Sequence, residues 1–295
     1  MTPAAQRKRQ QLAHFISLKI EPETAVKGVL VVGSVATGTA RDDSDIDAVV
    51  FLSPYDLYVI PAESIWRESD DSFNSIFLED EDLHRNGQQL DFNRLDWQIW
   101  SNIAYEWPEP MRAELKNAWL AFDRTGEIER VVTERTRYDD KTRLARLDEA
   151  IIWLDQHLDN DKPEKNWRTL GPIIAHDRLH AAYEHVVQAL FAYNERWRVW
   201  RNREMTALLQ LPWLPKELND HSLTALSAPS HDHKGFKERT KILRCINQEI
   251  LDRLIAEGIY GDDPVSEAFI RRHEEPGRAW NMDYWNKKHQ ERQSI

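Results

Sequence analysis

The chain has 295 residues, with 50 acidic against 39 basic side chains and a net charge of −11. Its 41% hydrophobic and 30% charged residues exclude a disordered chain, and its single cysteine, Cys245, excludes a disulfide framework or a cysteine-rich zinc site. No apolar run reaches the roughly 18–20 residues of a membrane span and no signal-peptide pattern opens the chain, so a cytoplasmic protein off the membrane is expected.

In chain order, Ala5–Ile20 carries Leu12, Phe15, Ile16 and Leu18 among charged residues, the spacing of an amphipathic helix that Pro22 breaks. Gly28–Ser34 is a β-branched run ending in a Gly/Ser/Thr-rich stretch, which predicts a strand and then a loop. A second strand is predicted at Asp45–Ser53. Residues 54–87 read as a helix or loop excursion on the surface, with acidic clusters at Asp70/Asp71 and Glu79–Asp82. The alternation of Leu90 and Phe92 with Gln89, Asp91 and Asn93 predicts a half-buried strand. A Trp-rich helical stretch (Asp96–Leu115), a strand near Asn117–Asp123, a turn to Gly126 and a helix from Glu127 follow. From about Tyr138 strand signals vanish: helices are predicted around Leu144–Leu154, from Asn166 to about Trp197, up to the breaker Leu211–Pro215, and over Lys234–Glu257. Cys245 falls on the stripe of that last helix and is expected to be a buried thiol. The composition shift predicts an α+β fold: residues 1–137 as a mixed β-sheet domain flanked by helices, then residues 138–295 as an all-α domain.

The chemistry concentrates in Gly33-Ser34, ten residues, then Asp45-Ile46-Asp47. The missing Cβ of Gly33 lets backbone approach a ligand, and Ser34 offers a hydroxyl and N–H groups to phosphate oxygens. Asp45 and Asp47, at i and i+2 of a strand, project from one face. Two carboxylates there repel unless a cation neutralises them, and hard oxygen ligands select Mg²⁺. If the strand holding Asp91 pairs beside Asp45–Phe51, three acids converge into a two-metal phosphoryl-transfer site.

The stretch GSVATGTARDDSDIDAVVF resembles the Gly-Ser … Asp-x-Asp signature of the DNA polymerase beta-like nucleotidyltransferase superfamily. In layout the chain is similar to its minimal and antibiotic-modifying members, which append a helical domain. The resemblance implies an enzyme that uses two Mg²⁺ ions to transfer a nucleoside monophosphate, by default AMP from ATP, to an acceptor hydroxyl. It assigns Gly33 and Ser34 to the nucleotide phosphates, Asp45 and Asp47 to the metal ions, and Asp91 to the third acid, as metal ligand or general base. Asp96 and Glu79–Asp82 compete with Asp91 for that role.

Other signals are weaker. Arg201, among Arg196, Arg198 and Arg203 with Trp197 and Trp200, and Lys216 past the Pro breaker are candidate nucleotide contacts; a solvated basic face is the alternative. His176 and His180 have a zinc-compatible spacing but no third ligand, and read better as ordinary histidines. Arg178 and His185 fit the permissive Arg-x(4–6)-His pattern of helical HEPN ribonucleases. The acidic clusters before the third strand would steer a cationic small-molecule acceptor such as an aminoglycoside, and read equally as a solvated loop. Overall acidity argues against nucleic acid in general. The alternative function is a regulatory or toxin-antitoxin type enzyme modifying protein or tRNA; a homodimer stays open. The tail with Trp280, Tyr284 and Trp285 reads as a docking segment.

Overall fold

The computed structural model describes residues 1–275, 277 and 281–293. The chain divides into two compact units, residues 1–137 and 138–295. Among the described residues no helix is long and apolar enough to cross a membrane.

The first unit is α+β. Helix α1 (Pro3–Phe15) starts where the Thr2 hydroxyl accepts the Ala5 N–H at 3.1 Å and Pro3 takes the first turn. A π-helical turn continues it over Ile16–Ile20. Six strands follow: β1 (Val26–Val31), β2 (Ile46–Leu52), β3 (Glu63–Arg67), β4 (Ser72–Asn74), β5 (Gln88–Asp96) and β6 (Trp119–Asp123). Their order across the sheet is β4-β3-β5-β2-β1-β6. Only β2 and β5 run parallel, and every other pair is antiparallel. The intervening helices are α2 (Gly33–Thr37), α3 (Glu81–Asn86), α4 (Trp97–Trp100), α5 (Glu109–Lys116) and α6 (Glu127–Arg135).

Alternate residues of the central strands feed two cores. Val29, Val31, Ile46, Ala48, Leu90 and Phe92 pack with Leu12, Phe15 and Ile16 of the first helix. Leu30, Val49 and Phe51 pack with Trp97, Trp100, Trp107, Met111 and Val131. The second core accounts for part of the high tryptophan content: Trp97 meets Phe51 edge-on at 5.1 Å, and Trp107 lies 5.2 Å from Trp100 and donates its indole N–H to the Trp100 carbonyl.

Residues 54–87 depart from the expected surface excursion. They supply two strands, and in β3 Ile65 and Trp66 are buried. The strand is short and flanked by charge, so its alternation spans too few residues to stand out. The expected loop at Gly33 is instead a five-residue helix.

Among the described residues the second unit holds helices and no strand: α7 (Asp140–Leu158), α8 (Lys162–Leu170), α9 (Pro172–Tyr193), α10 (Arg201–Leu208), α11 (Lys216–Leu226), α12 (His233–Ala256), α13 (Pro264–Arg272) and α14 (Met282–Gln293). Leu147, Ile151, Leu154, Val186, Leu190, Leu243 and Ile250 form its core. The single helix expected from Asn166 is two, because Gly171 at φ 85° and the missing N–H of Pro172 break the ladder. Cys245 is half-buried rather than buried. Trp280 of the expected docking segment lies outside the described residues.

Candidate active site

The parallel register places Asp47 directly beside Asp91, with Ile46 opposite Leu90 and Ala48 opposite Phe92. Since Ile46, Leu90, Ala48 and Phe92 enter the first core, period-two alternation turns Asp47 and Asp91 to the other face. Asp45, immediately before β2, shares that face. Oxygen atoms of Asp45, Asp47 and Asp91 all lie within 4.8 Å of one another, and all three residues are half-buried. The three acids chosen from the sequence therefore meet. Asp96 does not join them: it caps α4 by accepting the Gln98 N–H at 2.9 Å.

A fourth acid escaped the sequence reading. Antiparallel pairing of β3 with β5 sets Glu63 opposite Asp91. The signal that would have found it, a strand at 63–67, was masked by the reading of that stretch as an excursion. Burial raises the Asp91 carboxyl above its ordinary value; the neighbouring charges of Asp45 and Glu63 add to this, against a hydrogen bond from the Gln89 amide at 3.2 Å.

Gly33 and Ser34 open α2 beside this cluster. Gly33 has φ +65°, and a Cβ there would stand 2.7 Å from Asp47 Oδ2, so both backbone and space demand glycine. The Val32 N–H donates to the Asp47 carbonyl at 2.9 Å, tying turn to strand. Ser34 is half-buried and its hydroxyl makes no hydrogen bond among the described residues. The far end of the turn is held by Arg9, which donates to the carbonyls of Val35 and Ala36 at 3.1 and 2.6 Å; nothing in the local sequence marks Arg9 for that task.

Residues 16–106 match the family described as nucleotidyltransferase domain. The first unit therefore carries a nucleotidyltransferase domain. Among solved structures, the chain is similar to a nucleotidyltransferase-like protein from Exiguobacterium sibiricum 255-15, at 11% identity and a TM-score of 0.45, over 93% of this chain and 82% of that one. Comparison with curated proteins finds no match.

The other expected contacts belong to the helical unit. The Arg201 guanidinium donates to Glu184 at 2.9 Å and to Glu204 at 2.5 Å, in a cluster that also holds Arg198. Two carboxylates thus compensate its charge. Lys216 begins α11, and its backbone N–H donates to Glu249 at 2.7 Å. His176 approaches the His231 carbonyl at 3.3 Å and His180 lies 3.9 Å from Glu184; among the described residues neither joins a group of three metal-ligating side chains. The acids before β5 largely have local partners. Asp70 and Asp82 pair with Arg67, Asp71 with Lys19, and Asp80 caps α3.

Proposed function

We propose that this nucleotidyltransferase transfers a nucleoside monophosphate, AMP from ATP by default, to a hydroxyl of a small molecule, with Mg²⁺ at the acidic cluster. The observation that carries the reading is the convergence of Asp45, Asp47 and Asp91 within 4.8 Å beside the Gly33-Ser34 turn. Three half-buried carboxylates gathered on one face suit a hard divalent cation. Asp45 and Asp47 would hold the ions and Asp91 would complete the set. When bound, Mg²⁺ supplies charge neutralisation for the triphosphate and the pyrophosphate that leaves.

The chain's own residues do the rest. Ser34 and the first-turn N–H groups of α2 receive phosphate oxygens. Gly33 keeps the space between turn and Asp47 clear. Asp91 accepts the proton of the acceptor hydroxyl as that oxygen attacks the α-phosphorus. A cationic acceptor would meet Glu63, exposed beside Asp91, rather than the acids already paired with Arg67 and Lys19.

The test is transfer of label from ATP, CTP, GTP and UTP to aminoglycosides, lincosamides, tRNA and lysate protein, with Asp45→Asn and Asp47→Asn as controls. Label on a small cationic acceptor, lost in both variants, supports the reading. Label on tRNA or protein replaces it with the regulatory alternative, and activity retained in both variants removes the site assignment.

A further inference from the structure

Behind the acidic cluster, on the side of α1, a cavity of about 480 Å³ opens between that helix, the loop before Asp45 and the end of α3. Its lining includes Lys8, Arg7, Arg85, Asp42, Asp43 and Gln88: three fixed cations against two carboxylates, a local reversal of sign in a chain of net charge −11.

Lys8 is the unusual member. It is only 6% exposed, and its ammonium donates at 2.8 Å to the neutral amide oxygen of Gln88. Among the described residues it forms no ion pair. Arg7 pairs with Asp42 instead. An ammonium has three donors, and withdrawing one from water costs several kcal/mol unless an opposite charge compensates. Burial accordingly lowers Lys8 from its ordinary value, with Asp42 and Asp45 opposing. Asp42, Asp43 and Asp45 act on Lys8 without forming an ion pair with it, and the residue lines a cavity. Arg85 lines the same cavity from α3, exposed and without a hydrogen bond among the described residues.

We propose that this cavity is an oxyanion site, taking a phosphate group on Lys8 and Arg85, separate from the nucleotide turn. Phosphate presents acceptors only toward such donors, which suits one buried ammonium and one exposed guanidinium. The remaining volume is walled by the amides of Gln11, Asn86, Gln88 and Gln89, which suit a hydroxyl-bearing body attached to that phosphate. The site adjoins the acids at two points: Ser44 precedes Asp45, and Gln89 both lines the cavity and donates to Asp91.

The experiment is calorimetric titration of the metal-free full chain with inorganic phosphate at constant ionic strength, in wild type, Lys8→Met, Arg85→Ala and Ser34→Ala. Saturable binding that weakens at least tenfold in Lys8→Met and at least threefold in Arg85→Ala, and is unchanged in Ser34→Ala, is expected. Absence of saturable binding in wild type overturns the proposal, as does unchanged affinity in Lys8→Met. Loss in Ser34→Ala with retention in Lys8→Met moves the anion to the nucleotide turn and also overturns it. Should Lys8→Met fail to fold, Arg85→Ala decides alone, since its side chain is exposed and holds nothing in place.

Discussion

Replacing Asp91 by Asn should make the metal-free protein more stable while abolishing transfer. One carboxylate oxygen from each of Asp45, Asp47 and Asp91 lies within 4.8 Å of the other two. Two unit charges at that distance repel by about 1 kcal/mol at the dielectric of water and about 3.5 kcal/mol at an effective constant of 20. The residues are half-buried, so the relief from each of the two neighbours lies between these limits, and Asn keeps an amide oxygen for the Gln89 donor. At roughly 3 °C per kcal/mol for a domain of this size, the melting transition of the first unit should rise by roughly 5–20 °C in EDTA. The sign with pH follows from the raised value of Asp91. A carboxyl whose folded value exceeds its unfolded one favours folding below the unfolded value, and loses that contribution as pH rises through the folded one. The advantage of Asn should thus be full at neutral pH and vanish on acidification toward the ordinary value of 3.8. Added Mg²⁺ should reverse the order, since wild type gains about 2.7 kcal/mol at 100 times its dissociation constant and the variant gains less. Melting curves at pH 7.5 and 4, with EDTA and with MgCl₂, measure all of this. A variant that melts below wild type in EDTA, together with no effect of Mg²⁺ on either protein, would refute the electrostatic reasoning.

Three further outcomes are expected. Gly33→Ala should lower kcat/KM by at least 100-fold and destabilise the first unit by about 1–2 kcal/mol, because φ is +65° and the new Cβ would meet Asp47 Oδ2 at 2.7 Å; steady-state kinetics and urea melts check it. Asp148→Asn should cost the helical unit about 2–4 kcal/mol in urea unfolding, since this buried carboxylate accepts from Arg271 at 2.9 and 3.0 Å and from the Tyr260 hydroxyl at 2.7 Å. His157, buried and further disfavoured as a cation by His185, is lowered to about 4. The unfolded chain therefore binds its proton first, so the helical unit should be fully stable above pH 6.5 and lose stability as pH falls toward 4. A His157→Gln variant with the same pH slope would show that another group is responsible.

The parts legible in the sequence were those with a strong local period or a fixed spacing. Val29, Val31, Ile46 and Ala48 announce buried strands, and Ile242, Ile246 and Ile250 announce a helix face. The Asp45-Ile46-Asp47 spacing announced two carboxylates on one face because alternate residues of a strand project from the same side. What escaped depends on pairing between distant segments. Glu63 becomes a neighbour of Asp91 only once β3 lies against β5, and five residues among charged neighbours do not carry a visible alternation. The partners of Arg201 were hidden too: Glu184 and Glu204, 17 and 3 positions away, engage its guanidinium. Arginine by itself does not distinguish a ligand from a salt-bridge partner.

The placement of the carboxylates also explains how this site is kept rigid. One face of β2 changes duty along its length. Asp47, with Asp45 just ahead of it, carries the charge, while Val49 and Phe51, two and four residues on, are 1% and 0% exposed in the core of Trp97, Trp100 and Trp107. Two residues of strand rise about 6.6–6.8 Å, so the acids stand at the rim of an aromatic cluster rather than on a loop. The strand cannot slip by one residue without exchanging Asp47 for Ile46 and Phe51 for Val50, which would bury charge in one core and expose apolar surface at the other. Register is therefore enforced by both cores at once. The same pairing that sets Asp47 beside Asp91 is the one that keeps Phe51 under Trp97, and the geometry of the carboxylate cluster inherits its precision from packing on either side of the sheet.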